Sequence, residues 1–329
     1  MTDVAQLAGV SHTTVWRVFN NHRGVRDETR ERVHHAIRQL GYRLNPAART
    51  LVTRRSNTLG VITADRVSFR TTSILGGFER AARSAGYFVT ITSADTPTQG
   101  TLRAAVNRLR DQGVEGVLAL VPLDPTTFTS EPFPIVTIGA RRRRALGVVD
   151  VGSSAGVAMA TAHLLGLGHT TVHHVSGPPS CPEARLRRAV WHRTLRAASG
   201  RQPRFMAGDW TARSGYEIGL RLASDLDVTA VFCANDHMAI GVLRALTEMG
   251  RQVPEEVSVV GFDDIPEAAY TTPPLTTVGQ DFETLGTHCM AMLHALVTDA
   301  ERTVPCRIQL ATHLTIRSST ARSPGSRSS

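Results

Sequence analysis

From Thr58 onward, short β-branched runs alternate with amphipathic helical segments, and this alternation constrains the fold more than any other feature of the chain. Such alternation over about 250 residues predicts parallel sheets in doubly wound α/β units. One sheet of that length would be large, so we expect two sheets with a cleft between them. The predicted strands are Leu59–Thr63, Phe88–Thr92, Gly116–Val121, Ile135–Ile138, Thr171–Ser176, Ala230–Ala234 and Ser258–Phe262. The predicted helices are Ile74–Ala85, Leu102–Gln112, Ala155–Leu167, Glu183–Ala198, Ser214–Ser224, His237–Met249 and Phe282–Ala300.

Residues 1–44 lack this alternation and predict three short helices around a small apolar core. The first two helices are joined by a tight turn that contains Gly9, which is typical of a helix-turn-helix. The first predicted helix begins after an N-cap at Thr2 or Asp3 and ends at Ala8. The second spans His12–Asn20 after an N-cap at Ser11. The third spans Glu28–Leu40, with an N-cap at Asp27 and a stop at Gly41. The apolar residues at helical spacing are Val4, Leu7, Ala8, Val10, Val15, Val18, Val33, Ile37 and Leu40.

The basic charge of the chain is concentrated near its N-terminus. The formal net charge is +9, and all 37 basic residues are arginine. Residues 1–55 hold ten arginines and four acidic residues, a balance of +6. The arginine bias itself can equally reflect GC-rich codon usage. The placement of the charge, however, favours a polyanionic partner such as nucleic acid.

Residues 45–57 connect the two parts of the chain. Asn45-Pro46 is a favourable start for a short helix, Ala47–Val52, because proline suits the first helical position. A polar stretch, residues 53–57, follows it. We therefore expect a hinge helix and linker over residues 45–57. At the other end, residues 318–329 are rich in serine and arginine and predict a disordered tail.

The apolar segments and the cysteines restrict location and cofactors. No stretch approaches 18 apolar residues, and the N-terminus lacks the apolar region of a signal peptide, so we expect a cytoplasmic protein that does not enter a membrane. The four cysteines lie far apart and lack zinc-site spacing: Cys181, Cys233, Cys289 and Cys306. We expect them to be small buried apolar residues, and we expect no metal and no cofactor.

Polar residues follow several predicted strands. In open α/β sheets, ligands bind beyond the carboxyl ends of the strands. The residues at or near these positions are Asp65, Arg185, Arg187, Trp210, Asn235, Asp236, Asp263 and Asp264. Carboxylate, amide and guanidinium groups pair with hydroxyls, while an indole ring covers an apolar C–H face. The sequence therefore predicts a site for a polyhydroxylated ring such as a sugar.

Two other classes of protein are less consistent with the sequence. An exported sugar-binding protein would need a signal peptide and would lack the N-terminal helices. An enzyme could use Asp263-Asp264, His169, His173-His174 or Ser176. However, no nucleophile elbow, phosphate loop, dinucleotide fingerprint or zinc spacing accompanies these residues, so we expect no catalytic site.

Two N-terminal stretches, DVAQLAGVSHTTVWRVFN and TRERVHHAIRQLGYRLNPAARTL, closely resemble the DNA-binding segment of the lactose-repressor (LacI/GalR) family. The resemblance covers about residues 2–317 and continues in GVEGVLALVPL, EARLRRAVWH, GDWTARSGY, VFCANDHMAIGVLRAL, EEVSVVGFDD and PPLTTVGQDF. It implies an all-α helix-turn-helix headpiece with a hinge helix, and an α/β core of two doubly wound, periplasmic-binding-protein-like subdomains. The implied boundaries are 1–44 for the headpiece, 45–57 for the hinge, and 58–317 for the effector-binding and dimerisation domain. Within that domain, one subdomain is expected to consist of about residues 58–150 and 281–309, and the other of about residues 151–280 and 310–317.

The resemblance also implies which residues contact DNA. Val15 and Val18 face the small core, so His12, Thr13 and Arg17 are left to reach base edges in the major groove. Trp16 stands where the family usually has serine, and it either stacks on the DNA or packs against the hinge of its own dimer. Leu51 either wedges into the minor groove or packs within its helix. The full set of expected DNA contacts is Ser11, His12, Thr13, Trp16, Arg17, Asn20, Asn45, Ala48, Arg49 and Leu51.

For the effector, the resemblance implies contacts at a few cleft positions. Arg187, Trp210, Asn235 and Asp263 fall on inducer-contacting positions, and Gln280 lies beside the cleft. Gly139 stands where the family can have an aspartate that faces the sugar, so the identity of the sugar is left open. The run Arg141–Arg144 is either a solvated loop or a second anion site.

The expected partners are a double-stranded operator, a small-molecule effector and a second copy of the chain. A short hinge helix is unstable alone, so two hinges side by side on a pseudo-palindromic operator are expected. Residues 320–329 lack the leucine-heptad helix that makes tetramers in the family, which favours a homodimer. Together these expectations describe a regulator, a repressor in the simplest case, under allosteric control by a sugar.

Overall fold

The structure is a computed structural model that forms two compact units, residues 1–57 and 58–329, and each is described by itself. The described residues are 1–19, 22, 24–42, 55–64, 68–94, 98–121, 133–138, 147–150, 152–198, 202–298, 307–309 and 311–326. None of the described helices combines the length and the apolar character needed to cross a membrane.

The first unit contains three helices, α1 (Thr2–Ala8), α2 (His12–Phe19) and α3 (Asp27–Gln39). Its core is formed by Val4, Ala5, Ala8, Val15, Val18, Val33 and Ala36. Two residues expected in this core are outside it, since Leu7 is 46% and Leu40 is 45% exposed. The reason is that Val4, Ala5 and Ala8 already fill the inner face of the short α1, while Leu40 follows the end of α3.

The helix ends of the first unit follow the predicted turn chemistry in part. The hydroxyl of Ser11 accepts the backbone N–H of Thr14 at 3.1 Å, which confirms this N-cap. The expected caps at Thr2 or Asp3 and at Asp27 are wrong, because Met1 and Arg26 precede the two helices. Asp3 and Asp27 lie instead in the first turns, where the helix dipole favours a negative charge.

The second unit begins with a sheet of six parallel strands. Its strands are β1 (Thr58–Ala64), β2 (Phe88–Ala94), β3 (Val117–Ala119), β4 (Ile135–Ile138), β5 (Gly147–Asp150) and β11 (Arg307–Gln309). Their order is β11-β5-β4-β3-β1-β2. The accompanying helices are α4 (Phe69–Ser84), α5 (Gln99–Asp111) and α10 (Phe282–Thr298).

A second six-stranded sheet follows. Its strands are β6 (His173–Ser176), β7 (Met206–Ala207), β8 (Ala230–Cys233), β9 (Ser258–Asp263), β10 (Thr276–Gln280) and β12 (Thr312–Thr315). Their order is β12-β10-β9-β8-β6-β7, and β12 alone runs antiparallel to its neighbour. The helices are α6 (Ser153–Gly166), α7 (Pro182–Ala197), α8 (Ala212–Ala223) and α9 (Asp236–Glu248), with 3₁₀ turns at Pro266–Tyr270 and Pro324–Ser326.

The chain passes between the two sheets three times. It leaves the first sheet after β5, returns to it after β10, and enters the second sheet again after β11. Each sheet carries buried apolar clusters against its helices. The predicted architecture of two doubly wound subdomains is therefore confirmed.

The expectation of a disordered tail is wrong for residues 318–326. The buried hydroxyl of Ser319 donates to the carbonyl of Val259 at 2.6 Å and accepts the N–H of Thr276 at 2.8 Å. The N–H of Ala321 donates to the hydroxyl of Ser258 at 3.0 Å. The serine-rich composition suggested disorder, but the hydroxyl and backbone groups of this segment form hydrogen bonds to β9 and β10. Residues 327–329 lie outside the described part of the chain.

The cysteines only partly follow expectation. Cys233 and Cys289 are buried, and burial raises the pKa of the Cys289 thiol to about 12. Cys181 is only partly buried at the start of α7, and Cys306 lies outside the described residues.

Candidate functional site

The first candidate surface is the outer face of α2. His12, Thr13 and Arg17 are exposed, and Trp16 is 37% exposed. On the opposite face of α2, Val15 and Val18 are buried in the core of the first unit, which fixes the rotation of the helix about its axis. A short helix with a polar, cationic and aromatic outer face has the side chains that base edges and phosphates require.

The other predicted DNA contacts are distributed as follows. Ser11 is exposed at the N-cap of α2, where its hydroxyl is used by the backbone and the side chain of Thr14. Several expected residues lie outside the described part of the chain: Asn20, Asn45, Ala48, Arg49 and Leu51 of the headpiece and hinge, and Asp65, Gly139 and Arg141–Arg144 of the second unit.

The second candidate site lies at the carboxyl ends of β6, β8 and β9, with Arg187 at its centre. Arg187 is 2% exposed, and its guanidinium donates to the carbonyl of Ala234 and, at 2.7 Å, to the carboxylate of Glu183. The guanidinium lies 3.8 Å above the ring of Phe262 and 3.6 Å from the carboxylate of Asp263. Burial lowers the pKa of Arg187, which the neighbouring Asp263 opposes.

Trp210 forms the aromatic side of this site. The side-chain amide of Asn235 donates to the carbonyl of Trp210 at 2.9 Å, while its oxygen accepts the N–H of Met238 and caps α9. Asn235 therefore positions the loop that carries Trp210. Trp210 itself has a positive φ of 75°. A Cβ atom on Gly177 would lie 2.1 Å from the indole ring, so only glycine leaves room for it.

Asp263 supplies a carboxylate that lies beside Arg187 but, within the described part of the chain, accepts no hydrogen bond through its Oδ1. Burial raises the pKa of its carboxyl group, and the positive charges of Arg187 and Arg70 oppose this rise. Its Oδ1 is buried and accepts no hydrogen bond from the described residues. Asp263 also has a φ of 107°, a conformation that costs energy for a residue with a Cβ. Such an acceptor suits a donor from a ligand.

Gln280 lies next to these residues. It is buried at the end of β10, directly after Gly279, whose partner in β9 is Asp263. The structure thus brings together Arg187, Trp210, Asn235, Asp263 and Gln280 at one edge of the second sheet.

Sequence reasoning missed two charged residues of this site. Glu183 stands four positions before Arg187 on α7, and that spacing could have revealed the pair. Arg70, near the start of α4, forms an ion pair with Glu183, and burial lowers the pKa of Arg70 to about 10. No local signal could have found Arg70, because its partner is 113 residues away.

A further buried carboxylate, that of Asp236, lies next to the site. Asp236 accepts the hydroxyl of Thr277 at 2.5 Å and the N–H of Ile265 at 2.9 Å. Burial raises the pKa of Asp236 well above its usual range. Both carboxylate oxygens of Asp236 accept hydrogen bonds, one from β10 and one from the loop after β9, so Asp236 connects these segments. In this it differs from Asp263, whose Oδ1 accepts no hydrogen bond from the residues described.

A small helical unit with a polar helix face, followed by a two-sheet core with a polar site at its strand ends, defines a ligand-responsive regulator. Residues 1–45 match the model for bacterial regulatory proteins of the lacI family, and residues 161–320 match a periplasmic binding protein-like domain. The chain is 33% identical over 290 residues to the lactose operon repressor of Escherichia coli (strain K12), covering 86% of this chain and 81% of that protein. It belongs to the lacI family and is a transcriptional regulator.

Two solved structures are similar along almost the whole chain. One is the lac repressor dimer bound to operator and the anti-inducer ONPF, with a TM-score of 0.89, 31% identity, and coverage of 97% of this chain and 98% of that one. The other is a complex of the transcriptional regulator CelR with cellobiose, with a TM-score of 0.72, 31% identity, and coverage of 96% and 98%.

Proposed function

We propose that this chain is a sequence-specific transcriptional repressor whose affinity for a DNA operator is controlled by a sugar bound at the strand ends of the second unit. The observation that carries this proposal is the outer face of α2, where His12, Thr13, Trp16 and Arg17 are exposed above a fully apolar inner face. The similarity to a lac repressor dimer bound to operator supports the same use of this surface.

In this proposal α2 enters the major groove. Arg17 donates two hydrogen bonds to a guanine, while His12 and Thr13 contact neighbouring base edges. Trp16 stacks on the DNA or packs on the partner's hinge. The proposed contacts outside the described residues are Asn20, Asn45, Ala48, Arg49 and Leu51. Two chains bind a pseudo-palindromic operator as a homodimer, each reading one half-site, and the site of action is the cytoplasm, where operator DNA lies.

The proposed effector site uses each described residue differently. Trp210 covers an apolar ring face, and the Oδ1 of Asp263 accepts a hydroxyl. Arg187 holds Glu183 and Asp263 in place, and its buried Nε, which has no hydrogen-bond partner among the described residues, can donate to the effector. Gln280 lies beside Asp263, and Asp65 is proposed from the sequence alone. The cellobiose complex of CelR supports a sugar as the class of ligand.

The test is a selection of bound duplexes from random-sequence DNA. Wild-type protein is expected to enrich a pseudo-palindrome, because two α2 helices read two half-sites. Arg17→Ala is expected to lose about 1–3 kcal/mol per guanine contact and to relax the preference at one symmetric pair of positions. Arg38→Ala, an exposed arginine on α3, is the matched control. If Arg17→Ala enriched the wild-type sequence unchanged, the role of Arg17 would be wrong.

The effector part of the proposal is tested with the selected duplex. A panel of sugars is screened for a rise in melting temperature and for a change in the affinity for that duplex. A sugar that does both supports the proposal. If only a non-sugar metabolite has both effects, the chain is still a ligand-controlled regulator, but its effector belongs to the class of that metabolite and is not a sugar.

A further inference from the structure

An ion pair joins the two subdomains of the second unit beside the proposed effector site. Arg70 lies on α4, which packs on the first sheet, and Glu183 lies on α7, which packs on the second. The guanidinium of Arg70 contacts one carboxylate oxygen of Glu183. The other carboxylate oxygen accepts from Arg187 at 2.7 Å and from the hydroxyl of Ser153 at 3.4 Å. Glu183 thus ties together three helices, α4, α6 and α7.

These contacts form a series of alternating charges. Arg70 is followed by Glu183, Glu183 by Arg187, and Arg187 by Asp263, with 3.6 Å between the last two groups. Within the described part of the site, each of the two cations is therefore already paired with a carboxylate. The Nε of Arg187 and the Oδ1 of Asp263 are nevertheless buried without a hydrogen-bond partner among the described residues, so a donor and an acceptor remain for a neutral ligand.

We propose that Arg70 and Glu183 are specificity-determining residues of the effector site. Together with Asp263 they select a neutral polyhydroxylated effector over its carboxylated or phosphorylated counterparts. This inference rests on the proposed function, since it names the chemical class of ligand for the same site.

The physical reason is the cost of bringing an unpaired charge into this site. An anionic group placed here adds a negative charge beside two carboxylates whose charges already balance those of Arg70 and Arg187, and burial of a charge without a partner is expensive. A hydroxyl avoids this cost because it donates to Asp263 or Glu183 and accepts from Arg70. A hydroxyl between Arg70 and Glu183 also contacts both subdomains at once, so a ligand bound to this pair links the two subdomains.

The inference is tested with matched ligands: glucose, galactose and cellobiose, each compared with its uronic acid and its phosphate ester by thermal shift and titration calorimetry. In the wild-type protein, only neutral members are expected to bind. Glu183→Gln removes one negative charge at nearly constant shape, so the affinity for an anionic counterpart relative to its neutral sugar should rise about tenfold or more. Arg70→Gln should weaken the neutral sugar about tenfold while anionic members stay excluded. The matched control is Glu79→Gln, whose carboxylate pairs with Arg83 on the exposed side of α4 at 2.8 Å.

The outcomes separate this inference from the proposed function. An anionic counterpart that binds the wild-type protein as tightly as its neutral sugar overturns the inference and leaves the sugar-responsive regulator intact. An unchanged affinity ratio in both Glu183→Gln and Arg70→Gln does the same. If no member of the panel binds a protein that still binds its selected DNA duplex, both the inference and the sugar effector are wrong. Circular dichroism and binding to that duplex establish that each variant is folded.

Discussion

Arg187 and Asp263 have different roles although both were expected to contact the effector. The guanidinium of Arg187 is buried against Phe262 and donates to Ala234 and Glu183, and only its Nε has no described partner. The Oδ1 of Asp263 lies 3.6 Å from Arg187 but accepts no hydrogen bond from a described donor. Arg187 therefore mainly positions its neighbours, whereas Asp263 is mainly an acceptor for the effector. The difference depends on which hydrogen bonds the fold has already used, and a sequence does not contain that information.

Asp263→Asn is expected to bind operator DNA normally but to require far more effector for a response. The substitution removes the negative charge of the proposed acceptor, and hydrogen bonds to charged groups contribute about 1.5–3 kcal/mol, which is roughly a tenfold to hundredfold change in affinity. Effector titration of a DNA-bound complex measures this shift. A response at wild-type effector concentration would exclude Asp263 from the site. Loss of DNA binding by a folded variant would place Asp263 in the coupling between the subdomains.

His174 makes the stability of the second unit depend on pH. Its ring is stacked on Phe232 at 4.9 Å, and its Nδ1 is 3.0 Å from the carbonyl of Phe232. Burial lowers the pKa of His174 from its ordinary 6.5 to about 4. Between these values the unfolded chain binds the proton and the folded chain does not. The free energy of unfolding is therefore intact above pH 6.5 and falls, by up to about 3 kcal/mol, as the pH drops towards 4.

His174→Phe is expected to reduce this pH dependence, because it retains an aromatic ring and removes the titrating group. Urea unfolding at several pH values between 7 and 4.5 measures the slope. The remaining slope comes from groups such as His163 and His169, whose pKa values burial also lowers. The same slope in the variant and the wild type would show that His174 is not the responsible group.

At the level of elements, helices were predicted more completely than strands. Each helix predicted in residues 58–329 is present, and α4 begins earlier than expected because the hydroxyl of Ser68 caps it by accepting the N–H of Thr71. The strands β5, β7, β10, β11 and β12 were missed. Their length does not explain this, because β3, β4, β6 and β8 have only three or four residues and were predicted. Pairing with neighbours distant in sequence, rather than a local pattern, defines the missed strands.

The packed tail yields a prediction at the same scale. Ser319→Ala should lower the free energy of unfolding by about 1–3 kcal/mol, because the buried N–H of Thr276 loses its acceptor. The matched control is Ser318→Ala, since Ser318 is exposed and only its backbone N–H bonds to the carbonyl of Pro274. Chemical denaturation compares the two. Equal stability of both variants would show that the tail contributes little to the second sheet.

For the whole molecule, we expect a homodimer. Paired hinge segments stabilise each other on a two-fold symmetric operator. Light scattering at low micromolar concentration should give the mass of two chains. A stable tetramer under the same conditions would contradict this expectation.

The order of the strands has a consequence for the synthesis of the protein. Both sheets take an edge strand from residues 307–315, β11 in the first and β12 in the second, after all the other strands have been made. Domains usually fold one after another as the ribosome releases them. Here neither subdomain can complete its sheet before this segment emerges, so the nascent chain keeps two open sheet edges until residues 307–315 have been made. Chaperone binding during synthesis should therefore persist longer for this chain than for one whose first subdomain is contiguous.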